Sequence, residues 1–199
     1  MSIQFSDALQ LGKCLELWAS QTRRSYVVAI DGRSGVGKST LSATIAEPLQ
    51  ASVIESDDFF AGGIEIRSDS PAQRAADCID WTRQRAVLDA ARQGDDAAWR
   101  AFDWDAFDGR LRSTATTLAP RPIIILEGVY AARPELADLI DCKVMVTLAD
   151  ELREERLLMR EGAIGPWERQ WQEAEAYYFA EVMPARRFEV IFDASGRRP

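Results

Sequence analysis

Apolar positions fall into two periods along the chain. Ala8, Leu11, Leu15 and Trp18 recur at helical spacing behind Ser6, a residue type able to cap a helix, so the spacing predicts an amphipathic helix from Ser6 to about Ser20. YVVAID at 26–31 is a short β-branched run leading straight into a glycine-rich loop. A helix is expected from Lys38 to about Glu47, because Pro48 disfavours a helical residue before it. SVIES at 52–56 reads as a second strand, and 61–70, with Gly62 and Gly63, as loop. Pro71 to Gln93 reads as one helix stopped by Gly94, whereas AAWRAFDWDAFDGRL at 97–111 shows no clean period. Further strands are expected at 123–126, 143–148 and 188–193, with helices at about 150–161 and 167–182.

Strands that alternate with helices and read as unbroken apolar runs predict an α/β three-layer sandwich, here with a five-stranded parallel sheet in one domain over 1–199. Ligands of such sheets bind beyond the carboxyl ends of the strands. The polar residues to examine are therefore Asp31 to Ser39, Asp57-Asp58, Glu127, and Asp150 onward.

Composition narrows the chemistry. The 32 acidic and 24 basic side chains give a net charge of −8, which disfavours a general nucleic-acid surface. With no histidine in the chain, a general base must be a carboxylate or, less readily, a thiol, tyrosine or lysine. Cys14, Cys78 and Cys142 are too scattered for a zinc site or a disulfide framework, and suggest a reducing compartment. The start of the chain lacks a signal-peptide pattern, and no run approaches the roughly 20 apolar residues of a membrane helix. Cytoplasm is the expected location, without membrane or nucleic-acid partners, and a homo-oligomer is left open.

GRSGVGKS at 32–39 matches G-x-x-x-x-G-K-S/T, the Walker A phosphate loop of P-loop NTPases, with the required strand before it and helix after it. Glycines in such a loop let successive N–H groups turn inward around phosphates, and the helix N-terminus adds its positive end. Gly32, Arg33, Ser34, Gly35, Val36, Gly37, Lys38, Ser39 and Thr40 are thus expected to hold ATP, with Lys38 on the β/γ phosphates and Ser39 on Mg²⁺. Neither Lys13 nor Lys143 lies in an N/T-K-x-D guanine-reading segment.

Two carboxylate positions follow. Asp57 of SDDFF could accept the proton of an attacking hydroxyl or touch Mg²⁺ through water, or the segment is a solvated turn before two core phenylalanines. Glu127 ends the strongest apolar strand, where a Walker-B-type acid holds Mg²⁺; the alternatives are a helix cap or an ion pair. In ELREERLLMREG, Arg153, Arg156 and Arg160 share one helix face. They can form a lid at about 150–165 over the γ-phosphate, or pair with Glu154, Glu155 and Glu161.

These segments resemble the uridine kinase-like P-loop kinases, a family that includes nicotinamide riboside kinases and phosphoribulokinase relatives; the similarity covers nearly all of the chain after Tyr26. DGRSGVGKST looks like the family's phosphate loop, and SDDFF like the segment with its catalytic aspartate, which implies the base role for Asp57. IILEGVY resembles the E-G strand end that implies a magnesium role for Glu127, and RLLMRE the R-x-x-x-R-D lid, pointing to Arg156 and Arg160 with Glu161 in place of aspartate. IDW at 79–81 is similar to a segment whose aspartate holds substrate hydroxyls, which suggests Asp80. AFDW at 101–104 resembles P-x-Y-D-F, with Phe102 where tyrosine is usual and Trp104 beside it. The family's histidine near the base is missing.

The resemblance implies a nucleoside/nucleotide kinase-like fold and transfer of the ATP γ-phosphoryl group to a hydroxyl acceptor such as a nucleoside. Catalysis would rest on Asp57, Lys38, Arg156 and Arg160, and acceptor binding on Asp57, Asp80, Phe102 and Trp104. Other readings remain: a nucleotide-dependent ATPase or switch, a sugar or antibiotic kinase, or a nucleoside-monophosphate kinase, which Arg67, Arg74 and Arg83 leave open.

Overall fold

β2, Tyr26–Asp31, is buried along its whole length and lies near the middle of the sheet. The computed structural model describes residues 2–196. It contains β1 (Ile3–Phe5), α1 (Ala8–Ala19), α2 (Lys38–Leu49), β3 (Ser52–Glu55), α3 (Pro71–Asp77), α4 (Trp81–Gln93), β4 (Ala97–Trp99) and β5 (Thr116–Leu118). These are followed by β6 (Ile123–Glu127), β7 (Cys142–Thr147), α5 (Asp150–Glu161), α6 (Pro166–Tyr177) and β8 (Val190–Asp193). The main sheet is six-stranded, in the order β1-β8-β7-β2-β6-β3, and every pairing is parallel.

Side chains of a strand alternate between faces, so each central strand feeds two cores. Val27 and Ala29 of β2 and Ile124 and Leu126 of β6 join α3, α4 and α6 on one side, while Val28, Ile30, Ile123 and Ile125 meet α1 and α2 on the other. Three layers result. Among the described residues no helix is long and apolar enough to cross a membrane.

Several expected boundaries move, each for a local reason. The sixth strand is β1, whose three residues pair with β8 in the register Ile3↔Val190 to Phe5↔Phe192. A strand this short, with two of its three residues exposed, carries no readable period. Asp7, not Ser6, caps α1, accepting the N–H groups of Leu9 and Gln10. α2 runs through Pro48 in its last turn and closes at Gln50 in the left-handed region, φ 48°. The single helix expected over 71–93 is broken at Cys78-Ile79-Asp80, where Ile79 bridges Phe60 and Asp80 caps α4. The aperiodic stretch from 97 supplies β4, which pairs antiparallel with β5.

The register brings four strand ends to one edge. Ile30 lies opposite Glu127, Glu127 opposite Glu55, and Asp31 opposite Met145. A single 3₁₀ turn, Ser56–Phe59, carries Asp57 and Asp58 off the end of β3.

Candidate active site

Asp31, at the end of β2, is fully buried and holds the root of the phosphate loop. Its Oδ1 accepts the N–H groups of Gly32 (2.7 Å) and Tyr130 (3.0 Å); its Oδ2 accepts Ala132 N–H (3.0 Å) and the Tyr178 hydroxyl (2.9 Å). This one carboxylate ties β2, the chain after β6 and the end of the α6 region together. Burial raises it from an ordinary 3.8 to about 6, and the Ala132, Gly32 and Tyr178 bonds and the Lys38 charge restrain the rise. A raised carboxyl stabilises the fold most below its unfolded value and loses that contribution as pH climbs through the folded one. The stability difference between wild type and Asp31→Asn, measured by urea unfolding, should therefore shrink by about 1.5 kcal/mol from pH 5 to 7.5. A difference that widens over that range would show that the donors, not burial, set this group.

The loop itself is held from both sides. Glu175 of α6, buried, accepts Ser34 N–H at 2.9 Å and the Ser34 hydroxyl at 2.5 Å. From α5, the buried Arg153 donates to Ser34 O at 3.4 Å, and its Nε pairs with Asp150 at 3.2 Å. Gly35 (φ 86°) has no room for a side chain, since a Cβ would lie 2.8 Å from Leu157 Cγ and 3.0 Å from Arg153 O. The expected lid helix is thus packed directly on the loop.

Lys38 opens α2, is only 8% exposed, and donates to Arg33 O at 3.2 Å. Next to it the Ser39 hydroxyl donates to Glu127 Oε1 at 3.1 Å, while Glu127 Oε2 is buried with no hydrogen-bond partner among the described residues. Burial pushes Glu127 up to about 7; Lys38 and the Ser39 bond pull it down, and Asp57 raises it further. Gly128 follows at φ 140°, where a Cβ would strike Ser56 Cβ at 2.6 Å, so the strand end carrying Glu127 packs against the turn carrying Asp57. These residues fit Mg²⁺–triphosphate: a hydroxyl and an unsatisfied carboxylate oxygen lie together beside a buried cation and a loop whose glycines stand at positive φ. Among the described residues no group of three or more Cys, Asp or Glu could hold a metal alone.

Two cavities meet here. One, of about 590 Å³, is lined by Gly35, Gly37, Lys38, Ser39, Thr40 and Glu127 among others. The second, of about 1020 Å³, is walled by Phe60, Phe102, Trp104, Phe107, Trp167 and Trp171. Ser34, Asp57, Val129 and Arg160 line both. The Asp57 carboxylate receives no hydrogen bond from any described residue, and its carbonyl accepts Trp104 Nε1–H at 3.2 Å. Asp58 lines only the second cavity and accepts Trp99 Nε1–H at 2.7 Å.

The other expected site residues divide. Arg156 and Arg160 line the first cavity; Arg156 reaches Val36 O at 3.5 Å, and Arg160 pairs with Glu161 at 2.7 Å. Phe102 and Trp104 stand in the aromatic wall, 4.7 Å between ring centroids. Gly32, Arg33 and Val36 belong to the loop but do not line either cavity. Asp80 departs from expectation: its carboxylate accepts Arg83 N–H at 3.1 Å as the cap of α4, and it lines neither cavity. The three arginines considered for a phosphorylated acceptor are engaged elsewhere. Arg67 pairs with Asp69 and Asp77, Arg74 with Glu173, and Arg83 donates to Arg100 O.

The sequence reading missed Glu175, Trp167, Trp171 and Tyr130. All four come from segments read only as helix or as the end of a strand, and nothing local marks a helical glutamate that reaches a loop 141 residues away.

No protein-family model matches the chain. Two curated uridine kinases are similar to it. That of Ligilactobacillus salivarius is 26% identical over 163 residues, covering 72% of this chain and 70% of the relative. That of Lactobacillus johnsonii is 28% identical over 149 residues, covering 71% and 70%. A solved structure from Bacillus stearothermophilus, described as a possible uridine kinase, superposes with a TM-score of 0.64 at 20% identity, over 92% of this chain and all of its own. The chain carries a P-loop kinase fold. D-Glycerate 3-kinase from Cryptococcus neoformans var. grubii superposes as well, with a TM-score of 0.66 at 12% identity over 96% of each chain. In sequence and in fold the resemblance is to uridine kinase-like P-loop kinases.

Proposed function

We propose that the protein is an ATP-dependent kinase that transfers the γ-phosphoryl group to a hydroxyl of a small molecule of roughly nucleoside size. One observation carries the reading. Asp57, a carboxylate that receives no hydrogen bond from the described residues, stands where the phosphate-loop cavity meets the aromatic cleft. A base for phosphoryl transfer must reach both the acceptor hydroxyl and the line of attack on phosphorus, and a junction of two cavities meets that need. The two uridine kinases support a nucleoside-like acceptor.

In this mechanism the acceptor enters the aromatic cleft with its hydroxyl toward Asp57, which orients it and takes its proton. Lys38 and the N–H groups of the loop fix the phosphate chain and offset charge developing on the transferred group. Arg156 and Arg160, on the lid side, supply further positive charge and help exclude water. Ser39 and Glu127 would hold Mg²⁺, which would supply neutralising charge to the triphosphate. The engagement of Arg67, Arg74 and Arg83 counts against a phosphorylated acceptor.

The test is ADP release measured with MgATP against a panel of nucleosides, sugars and vitamins. At least one acceptor should raise ADP formation well above the rate without acceptor. Equal rates with and without every acceptor would instead favour an ATPase or a switch.

A further inference from the structure

The cleft beyond Asp57 has a strongly biased lining. Seven carboxylates face two guanidiniums, those of Arg112 and Arg160. Both arginines are engaged, Arg112 with Asp105 at 3.2 Å and Arg160 with Glu161 at 2.7 Å. The carboxylates are not equally satisfied. Asp58, Glu168 and Glu175 accept protein hydrogen bonds, whereas those of Glu55, Asp57 and Glu65 receive none from the described residues. The same cavity is lined by a run of aromatic rings in mutual contact. Phe107 lies 6.1 Å from Trp104 in a stacked pair and 5.2 Å from Trp167 edge-on, while Phe60 lies 5.6 Å from Trp171. Independently of charge, Tyr130 lines the cleft at 3% exposure, and its hydroxyl, like the indole N–H groups of Trp167 and Trp171, is buried with no partner among the described residues, a polar group left for a ligand to satisfy.

An aromatic face attracts a cation through its quadrupole, tryptophan most strongly, and unpaired carboxylates add Coulomb attraction. The same lining repels a phosphate or a carboxylate. We infer that the phosphoryl acceptor is an unphosphorylated alcohol carrying a positive charge, an aromatic or alkyl ammonium compound whose cationic end rests between the Trp104–Phe107–Trp167 wall and the carboxylates of Glu55 and Glu65. The hydroxyl end reaches Asp57. This rests on the cleft being the acceptor site of the kinase proposed above, and it makes an uncharged nucleoside such as uridine a poorer ligand than a cationic compound of similar size.

The probe is one skeleton in three charge states: phenylalaninol, its N-acetyl derivative and its N-succinyl derivative, which are cationic, neutral and anionic at pH 7. Binding to the full chain with MgADP is read from tryptophan fluorescence, since Trp104 and Trp167 stand in the wall. The cation should bind about tenfold more tightly than the neutral compound, and the anion more weakly than either. In a Glu55→Gln/Glu65→Gln double variant the cation's advantage should fall to about twofold or less while neutral binding holds. Equal binding of cation and neutral, tightest binding of the anion, or no response to any of the three would overturn the inference. None of those results touches the kinase reading, which fails only if no acceptor raises ADP release; a kinase whose best acceptor proves neutral or anionic would sink this inference alone.

Discussion

Lys38→Met is expected to lower turnover by about 10³-fold, with the melting temperature kept within a few degrees. Methionine matches the lysine stem in volume, so the packing at the start of α2 is retained. What disappears is one compact charge aimed at the phosphates. Loss of a single preorganised electrostatic group in a water-poor site costs about 10²–10³ in rate, and a full charge lies at the upper end. Stability should change only modestly: among the described residues this buried lysine makes one hydrogen bond, to Arg33 O, and the two buried carboxyls its charge holds down, Glu127 and Asp31, can each take up a proton when that charge is lost. Steady-state ADP release and thermal unfolding, run side by side, check both halves. A variant that unfolds early would mean that Lys38 supports the loop rather than the chemistry.

The second large effect belongs to Asp57. Asp57→Asn keeps the shape of the turn, the Trp104 bond to its carbonyl and the spacing to the aromatic wall. It removes only the capacity to take a proton. General-base contributions run at about 10²–10⁴-fold, so kcat with the best acceptor should fall within that range. KM for ATP should stay within about twofold, because the Lys38–Ser39–Glu127 end of the site is untouched. A variant with full kcat would remove Asp57 from the mechanism. A large rise in KM for ATP with kcat preserved would make it a nucleotide or metal contact instead.

The legible parts of this protein were those whose signal is local. β2, the loop from Gly32 to Ser39 and β6 ending in Glu127 follow from continuous apolar runs and from a spacing that only inward-turning N–H groups explain. β1 escaped because three residues cannot display a period, and it is a strand only because β8 lies beside it. The break between α3 and α4 escaped because Cys78-Ile79 continues the helical apolar pattern; the bridge from Ile79 to Phe60 overrides it.

At the site, residue types led to Lys38, Ser39, Asp57 and Glu127, which the fold gathers at one sheet edge. Asp80 illustrates the opposite outcome: an aspartate before a tryptophan resembles a ligand in sequence, yet its place just ahead of α4 turns it into a cap. The aromatic wall draws on the Phe60 turn, the 102–107 loop and α6, three segments with no common motif. Asp31 stood at the end of an apolar strand, but its role needed donors from residues 130, 132 and 178.

The loop at the end of β2 is expected to grip a triphosphate together with Mg²⁺. Isothermal titration calorimetry of the wild-type chain with a non-hydrolysable ATP analogue tests it most directly. The account predicts one site per chain with a clear heat in the presence of Mg²⁺, weakened at least tenfold when EDTA removes the metal. No heat at millimolar nucleotide, with or without metal, would contradict it.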